Sequence, residues 1–180
     1  GSNIVAELLK QGYAVKVLDN FSSGKRENIK PFEKDIELTE GDIRSYHIVQ
    51  DAVRGVEVVL HQAALPSVPR SIKDPITTNE VNVNGTLNIL EASVSANVRR
   101  VVYASSSSVY GDNPVLPKNE AMLPNPLSPY AVSKLAGEKY CSVFSKIYGL
   151  ETIALRYFNV FGPNQDPSSQ YSAVIPKFIR

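Results

Sequence analysis

Five short runs along this chain are almost wholly apolar, and helical or turn-rich segments separate them. They are Tyr13–Leu18, Ile36–Thr39, Val56–Leu60, Val101–Ser105 and Thr152–Tyr157. A strand with water on one face alternates polar and apolar side chains, whereas a run without alternation is buried on both faces. Strands of the second kind joined by helices make a parallel sheet covered on both sides. The expected fold class is therefore α/β, a doubly wound parallel sheet. Apolar periodicity predicts helices from Ile4 to Leu9 (stopped by Gly12), over Asp42–Arg54, over Ile76–Asn97 and over Tyr130–Tyr148 (stopped by Gly149). Pro66, Pro69 and Pro75 read as a loop, and the proline-rich stretch after Gly111 excludes regular structure in its middle. A loop is expected over Asn159–Ser172 and a further helix from Ala173 to Arg180.

Composition removes several classes of function. The chain has 180 residues, 43% of them apolar, which suits one domain with an ample core. Net charge is +1, and Lys25-Arg26 and Arg99-Arg100 are the longest basic clusters, so no nucleic-acid partner is expected. Cys141 is the single cysteine, which forbids an internal disulfide and suits a reducing, cytoplasmic setting. His47, His61 and Cys141 lack any ligand spacing, so no metal is expected. No apolar run reaches a membrane span and no signal peptide is visible, so no membrane partner is expected.

In doubly wound sheets, ligands bind beyond the carboxyl ends of the strands. Here those ends carry Asp19-Asn20, Asp42-Ile43, Gln62-Ala63-Ala64, Ser105 to Ser108, and Phe158-Asn159. Asp19 lies about 20 residues after the first helix begins, where dinucleotide folds place a carboxylate on the adenosine ribose. Such a carboxylate repels a 2′-phosphate and favours NAD over NADP. A turn aspartate explains the spacing equally well. A dinucleotide fold also needs a first strand and a Gly-rich turn ahead of this helix. Gly1 falls where the last glycine of that turn would lie, and the run Ser2-Asn3-Ile4-Val5 leads straight into the helix; an appended Gly-Ser dipeptide is the other reading. The expectation is a Rossmann-like sheet lacking its first, central strand. Such a chain alone is expected to have low stability and to bind NAD weakly, and reversible nanomolar binding would refute this.

Tyr130-Ala131-Val132-Ser133-Lys134 opens the last long helix, and residues four apart share a face. An ammonium beside the phenol is expected to lower its pKa and make it a usable base. A hydroxyl from Ser105–Ser108 would complete a Ser–Tyr–Lys constellation.

With DNFSSGKREN, GDIR, HQAALPSVPRSI, NVNGT, SSSSVYGD, SPYAVSK and LRYFNVFGPNQDP in this order, the chain resembles the extended short-chain dehydrogenases/reductases, the family of nucleotide-sugar epimerases and dehydratases. Within that family the chain most resembles the UDP-N-acetylglucosamine/UDP-glucose 4-epimerases, and HQAALPSVPRSIKDP and RYFNVFGPNQDP with the following YSAVIPK resemble the bacterial epimerases that prefer N-acetylated sugars. The resemblance implies NAD as cofactor, a UDP-sugar as substrate, and a homodimer made through the Ile76–Asn97 and Tyr130–Tyr148 helices. It divides the chain into a partial NAD-binding domain over residues 1–172 and the start of a substrate-binding region over 173–180, with most of the substrate domain absent. It also implies site roles. Ser106, Tyr130 and Lys134 are catalytic. Gly1, Asp19, Asn20, Asp42, Ile43, Gln62, Ala63, Ala64, Asn82, Ser105, Tyr130, Lys134 and Tyr157 hold the cofactor. Ser67, Ser106, Ser107, Tyr130, Asn159, Ala173 and Val174 meet the substrate. Dehydratases and decarboxylases of the family carry acidic residues where Ser107 and Ser108 stand. Serine cannot protonate a leaving hydroxyl, so the serine run argues for 4-epimerisation over elimination. An epimerase of UDP-glucuronate, another nucleotide-sugar enzyme, a non-catalytic relative and an inactive fragment are the rival readings.

Overall fold

The computed structural model describes residues 1–165. The expected boundary at residue 172, the helix from Ala173 and the residues Ala173 and Val174 lie outside them. α1 (Ser2–Lys10) turns Val5 inward and lies against β1 (Val15–Asp19). β1 pairs in parallel with β2 (Ile36–Glu40), from Val15↔Ile36 to Asp19↔Glu40. A second parallel sheet has the order β3 (Val58–His61), β4 (Arg100–Ser106), β5 (Glu151–Tyr157). Among the described residues the two sheets share no ladder. The strands within each sheet point one way, so Asp19 and Glu40 end together, as do Ser106 and Tyr157, while β3 ends earlier, with His61 opposite Tyr103.

The core lies between the β3–β4–β5 sheet and its helices. Val101 and Tyr103 of β4 are buried against Leu90 and Ala92 of α5 (Gly85–Ser95), Val49 of α2 (Tyr46–Ala52), and Cys141 and Phe144 of α6 (Pro129–Tyr148). α6 has a well-formed start: Ser128 Oγ accepts the Ala131 N–H at 3.1 Å, and Pro129 occupies the first turn, where its missing N–H is not needed. It ends at Gly149, as the sequence predicts.

The structure corrects three sequence expectations. The expected loop holds at Pro66 but not at the other two prolines: α3 (Val68–Lys73) and α4 (Pro75–Asn79) each carry proline in the first turn. Ser67 and Asp74 cap them through Arg70 N–H (3.0 Å) and Thr77 N–H (3.1 Å). The prolines therefore start helices here and break none. The expected Asp42–Arg54 helix begins only at Tyr46, because Asp42 accepts the Arg44 N–H at 2.9 Å in a local turn that competes with helix. The long helix expected over Ile76–Asn97 is continuous but changes its winding: a π segment, Glu80–Asn84, joins α4 to α5.

Candidate active site at the strand ends

Three side chains one turn apart on α6 face the end of β4. Lys134, 4% exposed, donates to the Ala104 carbonyl at 2.8 Å. Its ammonium lies 5.1 Å from the Tyr103 ring centre and 5.9 Å from that of Tyr130. Burial brings its pKa down to about 8. Tyr130 is within hydrogen-bonding reach of Ser106. Burial pushes its phenol up, and the Ser106 bond works against that shift. This departs from the sequence expectation of a phenol tuned by the adjacent ammonium. Lys134 turns its charge toward the β4 backbone, and desolvation dominates at Tyr130.

The serine run divides by function in the turn. Ser106 Oγ caps a short helical turn, Ser107–Tyr110, by accepting the Ser108 N–H at 3.2 Å. Ser108 Oγ lies 2.9 Å away and also donates to it. With both lone pairs of Ser106 occupied, its own O–H is free to donate toward the Tyr130 side. Ser105 points the other way and donates to Glu138 at 2.5 Å. Ser107 is half-buried beside them.

Glu138 and Arg156 were not anticipated. Arg156 Nε and Nη2 donate to the two Glu138 oxygens at 2.9 and 2.8 Å, and the guanidinium lies over the Tyr110 ring at 4.7 Å. Burial alone would raise the Glu138 carboxyl, but the bonds from Arg156 and Ser105 prevail and hold it below its ordinary range. Two signals were available in the sequence. Glu138 continues the four-residue step from Tyr130 and Lys134, and Arg156 interrupts an otherwise apolar strand.

The other rim residues fall into two groups. Asp19 ends β1, and its Oδ1 accepts the Phe21 N–H at 2.8 Å, so the turn role is real. Asp19 also lines a cavity of about 400 Å³ together with Gly1, Ser2, Asn3, Phe21 and Gly24. Asn20 donates to Asp42 at 3.0 Å, tying the β1 and β2 ends together. Arg44 holds the Asp42 carboxyl down at about 2. Ile43 is buried, with its carbonyl bonded by Asn88 at 2.9 Å. Beyond β3, Gln62 and Ala64 are half-buried and Ala63 is exposed. Asn82 lies in the π segment, where its amide is fully engaged. It accepts the Leu65 N–H at 2.8 Å and donates to Leu65 O and Ser133 Oγ, each at 3.1 Å. It ties the β3 exit loop to α6, and π segments often occur where a helix meets a site. Ser67 is buried with φ of 111°, backbone strain of a kind that gathers at functional positions. Tyr157, the last residue of β5, and Asn159 just beyond it are exposed. His61 is buried, neutral and bonded to Thr86 at 2.9 Å; burial takes its pKa down to about 3, which suits packing and excludes a proton shuttle near neutrality.

A Rossmann-like parallel sheet whose strand ends gather Ser106, Tyr130 and Lys134 defines an extended short-chain dehydrogenase/reductase. Comparison with known proteins narrows this class. The model of the NAD dependent epimerase/dehydratase family matches residues 1–180, and the chain belongs to that family. The UDP-glucose 4-epimerase of Mycolicibacterium smegmatis is 40% identical over 97% of this chain and 57% of its own length. The UDP-N-acetylglucosamine 4-epimerase of Methanobrevibacter ruminantium, solved with UDP-N-acetylmuramic acid, is 42% identical with a TM-score of 0.93, covering 99% of this chain and 57% of that one. The UDP-glucose 4-epimerase of Thermus thermophilus, solved with NAD, is 43% identical with a TM-score of 0.89, covering 95% and 55%. The chain thus spans a little over half the length of these relatives.

Proposed function

We propose that the whole protein is an NAD-dependent UDP-sugar 4-epimerase, an isomerase acting through transient oxidation at C4. The observation that carries this reading is the junction of Ser106, Tyr130 and Lys134, with hydroxyls and no carboxyl at positions 107 and 108. The residues present fit NAD. The cavity beside Asp19 is walled by Gly1 and Gly24, and a Cβ at Gly24 would come within 3.4 Å of Asp19 Oδ2, so the glycine keeps that carboxylate open to a ligand. Asp19 would take the adenosine ribose, with Asn20, Asp42 and Ile43 around the adenine. Lys134 would take the nicotinamide ribose. Bound NAD supplies a reversible hydride acceptor, so hydrogen removed from C4 is returned and no net oxidation occurs.

This chain's own groups do the proton work. Tyr130 takes the proton of the sugar 4-hydroxyl and later returns it. Ser106, whose acceptor sites are occupied by Ser108, donates to the same sugar oxygen and steadies its developing charge. Asn159 would hold the pyrophosphate while the sugar presents its other face. Keeping sugar and cofactor together makes each transfer intramolecular. A cytoplasmic homodimer agrees with the single cysteine and with exposed Ile76, Val132, Val143 and Ile147 on the helices that would meet a second copy. Among the described residues no helix is long and apolar enough to cross a membrane.

Proton NMR of the full-length protein in deuterated water, with UDP-N-acetylglucosamine and UDP-glucose in separate tubes, tests the reading. Inversion at C4 without deuterium entering the sugar is the expected result, and the faster substrate defines the subclass. A keto or decarboxylated product would overturn it. Asp19→Ala is expected to weaken NAD binding by about 10- to 100-fold, the worth of charge-assisted hydrogen bonds, and to relax rejection of NADP. Calorimetric titration with both cofactors checks this, and unchanged selectivity would confine Asp19 to its turn.

A further inference from the structure

We propose that Glu138 and Arg156 are positioning residues that hold the serine-bearing end of β4 in place against α6. The catalytic consequence rests on the reading above. Tyr130, Lys134 and Glu138 share one face of α6, and each engages a residue in the last three of β4. Tyr130 meets Ser106, Lys134 meets the Ala104 carbonyl, and Glu138 meets the Ser105 hydroxyl. Ser105 stands opposite Arg156 in the β4–β5 ladder. One carboxylate therefore binds two cross-strand neighbours at once: its Oε1 accepts from Ser105 and from Arg156 Nε, and its Oε2 from Arg156 Nη2.

The far side of the guanidinium covers Tyr110, which closes the turn that carries Ser106, Ser107 and Ser108. That turn is thus gripped at both ends, Ser105 and Tyr110, through a single ion pair. The Arg156 and Glu138 side chains are only 17% and 12% exposed, so solvent does little to loosen the grip. A bidentate planar pair sets distance and direction together, which apolar packing does not. Stability alone gives no reason for an ion pair here, because a buried pair is commonly matched by apolar residues of similar volume. That difference separates positioning from mere stabilisation.

The test compares the full-length protein with Glu138→Gln, Ser105→Ala and the charge-free double variant Glu138→Leu/Arg156→Met. It reads kcat, KM, melting temperature and amide hydrogen exchange. Glu138→Gln is expected to lower kcat by about 10- to 100-fold, the scale of a misplacement near 1 Å, with KM changed by less than about threefold. The double variant is expected to regain most of the melting temperature and none of the kcat. Ser105→Ala, which leaves the ion pair intact, is expected to lower kcat by a smaller factor. Recovery of kcat along with melting temperature in the double variant would overturn the proposal, reducing the pair to a stabilising contact. If Glu138→Gln fails to fold, the double variant and Ser105→Ala carry the same comparison. If the unmodified protein turns over no UDP-sugar, the functional reading fails and exchange decides the positioning. Faster exchange over residues 104–110 in the double variant, with α5 unchanged, supports it; wild-type exchange there overturns it.

Discussion

Tyr130→Phe is expected to lower epimerase turnover by about 10²- to 10⁴-fold, the usual contribution of a positioned general base, while NAD stays bound. The substitution removes one oxygen from a side chain whose ring keeps its place at the start of α6. Ser106 then lacks its partner, but its bonds from Ser108 N–H and Oγ persist, so the turn should keep its shape. The phenol of the free site is raised by burial, with Ser106 opposing. Activity is therefore expected to rise with pH through the titration of Tyr130, because in the proposed mechanism the deprotonated phenol is the base. A rate–pH profile of the wild type checks the sign, and coupled turnover assays with bound-cofactor absorbance check the variant. Near-normal kcat in Tyr130→Phe would remove Tyr130 as the base.

Gly111→Ala is expected to destabilise the fold by about 3 kcal/mol or more. Gly111 has φ of 64° and ψ of −140°, a region essentially closed to residues with a Cβ. A Cβ there would also lie 2.0 Å from the Asn125 carbonyl oxygen, a backbone atom with no rotamer to yield. The neighbouring Asn125 N–H bonds the Val109 carbonyl at 2.9 Å, so the clash falls where the proline-rich segment is pinned to the serine turn. Thermal or urea unfolding of the variant measures the loss. A change under about 0.5 kcal/mol, the ordinary range for a surface substitution, would show that the segment shifts freely.

Much of the fold was legible from local pattern. The two-sided burial of a parallel strand leaves a continuous apolar run, so all five strands of the described chain lie where the sequence places them, with ends displaced by two residues or fewer. Helix ends were less legible. Asp42 delayed the start of one helix by accepting the N–H of Arg44, two residues on, and proline at 69 and 75 started helices that proline alone had seemed to exclude. The Ser–Tyr–Lys set was legible because helical spacing and strand ends bring it together whatever the details of packing. The role of the lysine charge was not. Whether an ammonium four residues on faces a phenol or a carbonyl depends on the depth of α6 over β4.

The sequence by itself determined the class of fold, the strand end at which Ser106, Tyr130 and Lys134 gather, and the family. Each follows from residue type and short-range periodicity, which hold wherever the segment is placed. Only the tertiary structure decided which serine caps the turn, that Asn82 ties the β3 exit loop to α6, and that Glu138 joins Ser105 to Arg156. Those partners are 17 to 51 residues apart in sequence for Asn82 and Glu138. Their pairing is set by strand register and helix depth, quantities that no local pattern encodes because they arise from how whole elements pack.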